Sequence, residues 1–144
     1  MKRAFVCTLI VLALFAFFGC NEETDDKEKV FNIVEDSYEQ ITKSCETKDM
    51  AALLTIKNVK EIDTIDGYII FCCERNKNAS NSHECGFYYS ENNTPVAISD
   101  GQIICYNEDM NSEGKGYKYV DSLNNEYYTE HIKGNLYFYS ASLS

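Results

Sequence analysis

Residues 66–89, DGYIIFCCERNKNASNSHECGFYY, decide the fold. Asp66-Gly67 is a pair that tolerates positive φ and so favours the tight turns of β-hairpins. The run that follows, Tyr68 to Cys73, is aromatic, β-branched and uncharged, which is the composition of a buried strand. Glu74 to Glu84 is polar, and the strand pattern resumes from Glu84 to Tyr89. The two runs can therefore fold back on each other around a polar loop. That pairing sets Cys73 opposite Cys85, whereas Cys72 and Cys73, being neighbours on one strand, point to opposite faces.

The same pattern continues downstream. Asp100-Gly101 leads into Gln102 to Tyr106, and further strands are expected at Tyr117 to Asp121, Glu126 to Ile132 and Asn135 to Ser140, the last two joined at Lys133-Gly134. Upstream the period changes. Val30, Val34, Tyr38, Ile41 and Cys45 recur at helical spacing, with Glu35, Asp36, Glu39, Gln40 and Lys43 on the opposite side. Asp25 and Glu28 form an expected capping pair, and Asp49 is placed to cap a short second helix. Strands that follow one helix without alternating helices form an antiparallel sheet, and the helix must bury its stripe against it. The expectation is a single α+β domain over residues 29–144. Helix, short helix and curved antiparallel sheet is also the order in domains that resemble nuclear transport factor 2, a fold used by enzymes and binding modules alike.

The start of the chain reads differently. Lys2 and Arg3 precede an uncharged apolar run from Ala4 to Phe18. A spanning helix needs roughly 17–25 apolar residues, so this run is short for a permanent span and normal for a signal peptide. Ordinary cleavage after Gly19 would put bulky Phe17 where a small side chain is required. The tail Phe17-Phe18-Gly19-Cys20 instead resembles the bacterial lipobox, although Phe17 stands where Leu is usual and Phe18 where a smaller residue is usual. The resemblance covers about the first twenty residues. It implies a signal peptide at 1–19, lipidation of Cys20 and attachment in the cell envelope, at the outer membrane or the periplasmic face of the inner one. The Asn-, Lys-, Ile- and Tyr-rich remainder is similar to spirochaete lipoproteins. Two or three acyl chains anchor durably, since each buried methylene contributes about 0.8 kcal/mol. The charged segment 21–28 is expected to be a flexible tether.

The 144 residues carry a formal net charge of −10, which repels nucleic-acid phosphates, so no nucleic-acid partner is expected. The expected partner is the membrane, through the lipid, with a protein or small ligand unspecified. Beyond Cys7 and Cys20, five cysteines remain. In an exported protein they are expected in disulfides, Cys73 with Cys85 first and a second bridge among Cys45, Cys72 and Cys105. Cys72, Cys73, His83 and Cys85 are also zinc-ligand types, but their spacing is wrong for a two-pair site, so no metal is expected. No Cys-x-x-Cys, catalytic motif around His83 or His131, phosphate loop or complete calcium loop occurs, so neither an enzyme activity nor a cofactor is expected. The clusters Phe87-Tyr88-Tyr89, Tyr117 with Tyr119, Tyr127-Tyr128 and Tyr137-Phe138-Tyr139 suggest cross-strand packing on a partly wet face, or else an aromatic binding surface. The expected function is a lipid-anchored binding or structural domain. A small periplasmic enzyme or redox helper is the alternative, and a secreted, unlipidated domain with glycans at Asn78 and Asn92 a third.

Overall fold

The computed structural model describes residues 22–78 and 81–144, so the leader, its processing site and Cys20 lie outside the described residues. Helix α1 spans Glu22–Thr47 and α2 spans Met50–Leu53. Segment 22–28, expected as a tether, is thus the first turns of α1, and Asp25 is not its cap. Asp25 instead pairs with Lys29 at 2.8 Å, one turn on. Tertiary contact extends the helix: Lys27 is ion-paired with Glu130 and lies 5.6, 5.6 and 5.9 Å from the ring centres of Phe31, Tyr128 and Phe138. Asp49 does cap α2, accepting from the Ala52 N–H at 3.1 Å.

Among the described residues nine strands follow: β1 Glu61–Ile65, β2 Tyr68–Lys77, β3 Ser82–Ser90, β4 Val96–Ser99, β5 Gln102–Tyr106, β6 Asn111–Glu113, β7 Gly116–Val120, β8 Glu126–Lys133 and β9 Leu136–Leu143. Seven of the described strands form one antiparallel sheet in the order β1-β2-β3-β9-β8-β7-β6, and β4 and β5 form a separate hairpin. The expected α+β class, with an N-terminal helix on an antiparallel sheet, is what the chain adopts. The helix buries Val30, Val34, Ile41 and Cys45 against Phe71, Phe87 and Phe138. Phe71 and Phe87, on facing strands, stack with ring centres 4.4 Å apart. Tyr38 is only half-buried at the border of this core.

The second face of the sheet is drier than expected over β2, β3 and β9, where the β4–β5 hairpin covers it, while Tyr117 and Tyr119 on β7 stay half-exposed. Tyr88 and Tyr139 are fully buried under the hairpin, with Ile70, Val96 and Ile98. Alternation along β3 and β9 sends Phe87 and Phe138 to the helix and Tyr88, Tyr137 and Tyr139 to the hairpin. The Tyr88 hydroxyl accepts from the Val96 N–H at 2.9 Å and shares a 2.7 Å hydrogen bond with Thr129, which fastens the hairpin to β8. Asp100 and Gly101, at φ 52° and 69°, make the primed turn that Asp-Gly favours and let β4–β5 close tightly. Gly86 is required for another reason: a Cβ there would lie 1.9 Å from the Phe71 carbonyl oxygen.

A bulge corrects the expected bridge. Cys72 pairs with Gly86 but Glu74 pairs with Cys85, leaving Cys73 as the extra residue between them. Glu74, rather than Cys73, therefore stands opposite Cys85, and both cysteines are free thiols. The second expected bridge is not formed either. Cys45 lies in the helix-side core, Cys105 lies with Ala97, Tyr127 and Ala141 under the hairpin, and Cys72 faces Glu84 and Tyr139.

Candidate functional site

α1 lies along β3, and its first turns cover the end of the sheet where β2 finishes, β3 begins and β9 finishes. Asp26 comes down from the helix, while His83 and Cys85, two residues apart on β3, share the face beneath it. One donor atom from each of Asp26, His83 and Cys85 falls within 4.8 Å of the others. His83 Nε2 is 3.8 Å from Asp26 Oδ2, and His83 Nδ1 is 3.4 Å from Ser142 Oγ. The register sets Glu74 opposite Cys85 and Asn76 opposite His83. Lys29 reaches Asp26 at 3.2 Å, and Lys60 holds Glu74 at 2.7 Å.

Two open clefts of about 520 and 530 Å³ meet at this corner and share Asp26, Lys29 and Glu74. Cys73 and Cys85 line the first, and His83 and Ser142 the second. Burial, followed by the negative charge of Asp26, pushes the Cys85 thiol up to about 12. Burial drives Cys73 higher still, with Cys85 beside it adding to the effect. Both are protonated at ordinary pH, the reverse of an activated nucleophile. The two His83 nitrogens face oxygens of Asp26 and Ser142 through contacts of 3.8 and 3.4 Å, long enough to leave most of the ring's bonding capacity unused.

The opposite face of the same strand end carries a different cluster. Glu84, buried beneath Asp100, accepts from Arg75 Nε at 3.1 Å, the Tyr139 hydroxyl at 2.8 Å and the Asp100 N–H at 3.1 Å. Arg75 also pairs with Glu61, and with Asp100 at 3.5 Å.

Of the residues singled out by sequence, the structure brings together Cys73, His83 and Cys85, and turns Cys72 away to the Glu84 side. Cys45 is pushed up to about 12 and Cys72 to about 11, burial being the main cause in each. His131 is committed to the β8–β9 turn, its Nε2 lying 2.7 Å from the Gly134 carbonyl oxygen. Asp26 is the residue that sequence reading missed. Its signal was present, since position 26 extends the four-residue spacing of Val30 and Val34 back by one turn. Comparison with known proteins returns no match: no family model, curated protein or solved structure is significantly similar to the chain. The likeness to nuclear transport factor 2 is one of element order alone. Among the described residues, no helix is long and apolar enough to cross a membrane.

Proposed function

We propose that the protein is a cell-envelope lipoprotein, held at a membrane by acyl chains on Cys20, whose α+β domain is a non-catalytic binding module. The observation that carries the reading is the leader: Lys2-Arg3, the apolar run Ala4 to Phe18, and Phe17-Phe18-Gly19-Cys20 at its end. The first turns of α1 follow Cys20 by a few residues, so the clefts around Asp26 belong to the part of the domain nearest the anchor in sequence. A non-catalytic role is supported by thiols that burial keeps protonated and by His131, whose Nε2 is taken up by the Gly134 carbonyl oxygen.

Expression in a bacterium with and without Cys20→Ser tests this. The wild type is expected in the detergent phase, with an intact mass raised by lipid, and the Cys20→Ser form as a soluble, unmodified chain. A soluble wild type with an unmodified Cys20 overturns it. One observation favours a second reading, a thiol-redox helper, because Cys73 and Cys85 line the same cleft. Rapid alkylation of both thiols in the folded protein at neutral pH would support that reading, and slow alkylation the first.

A further inference from the structure

We propose that Asp26, His83 and Cys85 form a three-donor site for a borderline divalent metal ion, zinc in particular, with a fourth coordination position open to the clefts. Oxygen, imidazole nitrogen and sulfur together are a donor set that suits zinc and neither calcium nor magnesium, which take oxygen. Bonds of about 2.0–2.3 Å place tetrahedral donors roughly 3.5 Å apart. The Asp26–His83 separation of 3.8 Å is close to that already, and the widest separation in the cluster stays under 4.8 Å. Asp26 and His83 keep 21% and 29% of their side-chain surface, which leaves them room to close on an ion, while Cys85 is fixed in the core at 1%.

The surroundings complete the case. His83 Nδ1 lies near Ser142 Oγ, the kind of outer contact that orients a ligating imidazole through its other nitrogen. Around the two clefts Asp25, Asp26, Asp36 and Glu74 outnumber Lys29 and Lys60, and the clefts provide an entry path and space for a water or substrate atom. On binding, the Cys85 S–H bond breaks, the proton leaves to buffer and an S–Zn bond forms, with no change of oxidation state. The inference does not depend on lipidation of Cys20.

Titration of the reduced full-length chain in detergent with cobalt(II), which reports a thiolate ligand by a sulfur-to-metal charge-transfer band, tests it; zinc then competes for the site. The expected result is one equivalent bound, a band lost in Cys85→Ser, and affinity more than about 100-fold weaker in His83→Gln and in Asp26→Asn, since even outer-contact losses weaken metal sites by about 10–100-fold. Cys105→Ser, on the other side of the sheet, is expected to behave as wild type. His83 is half-exposed, so its variant remains folded and informative if Cys85→Ser does not. A band that survives without Cys85, affinity unchanged in His83→Gln, no thiolate band at all, or an intact mass showing a Cys73–Cys85 disulfide in the exported protein each overturns the site.

Discussion

At the start of β3, consecutive residues end in opposite situations. Glu84 faces the hairpin side and is saturated: a guanidinium, a phenol and a backbone N–H all donate to its two oxygens within 3.1 Å. His83 and Cys85 face the helix side, where the nearest polar contacts of the imidazole are 3.4 and 3.8 Å long. A buried carboxylate can be kept only when its lone pairs are filled, so the first cluster is structural. The second is a set of donors with unspent capacity beside open clefts, which is what a ligand site requires. One strand thus carries a saturated cluster on one face and longer, weaker polar contacts on the other, and the alternation of side chains keeps them apart.

Substitutions on the two faces of β3 are expected to differ in their effects. The largest effect is expected on the saturated side, where Gly86→Ala drives a methyl into the Phe71 carbonyl and the Tyr139 ring. A loss upward of about 4 kcal/mol, or failure to fold, is expected in urea denaturation, because backbone on a paired strand cannot yield as a side chain can. Next comes Glu84→Ala, which strands the Arg75 guanidinium and the Tyr139 hydroxyl. About 3 kcal/mol is expected, toward the low end for a broken buried pair because Glu61 and Asp100 still compensate Arg75. A loss below about 1 kcal/mol would show that Glu84 does not hold the saturated cluster together.

On the helix side, Glu130→Gln tests the pair that draws the first turns of α1 onto the sheet. Burial acts to raise the Glu130 carboxyl, but the hydrogen bonds from Lys27 and Tyr128 outweigh it and hold the group below its ordinary value. A lowered folded value means stability that is present above the unfolded carboxylate pKa, about 4.3, and lost as pH falls through the folded value. The variant is therefore expected to lose about 1–2 kcal/mol at pH 7, discounted for the partial exposure of Lys27, and the gap should close in acid below about pH 4. A gap that is constant down to pH 3 would point to lost packing instead. The smallest effect is expected for His83→Gln in metal-free protein, within about 0.5 kcal/mol. Measured beside Glu84→Ala, it sets adjacent residues against each other, and equal losses would erase the distinction between the two faces.

Much of the architecture was legible because it follows from local periodicity. The four-residue stripe of Val30, Val34 and Cys45 and the Asp-Gly turns before Tyr68 and Gln102 each encode an element by themselves. What was illegible depends on contacts remote in sequence. Segment 22–28 looks like a tether because its charges are good for solvent, and only Glu130, about a hundred positions away, makes Lys27 part of a helix. The tyrosine clusters gave both faces of the sheet equal aromatic content, and nothing local says that β4–β5 folds over one of them.

By itself, then, the sequence determined the element types and the antiparallel sheet, since a period of two is a property of any strand, whereas His83, read as part of a polar loop, joins β3 only in the folded chain. The tertiary structure alone decided that a bulge at Cys73 slides Glu74 opposite Cys85 in place of the expected cysteine pair. It also decided that Asp26 comes to rest beside them. Register and helix placement are settled by the burial of whole layers, and no short stretch of chain contains that information.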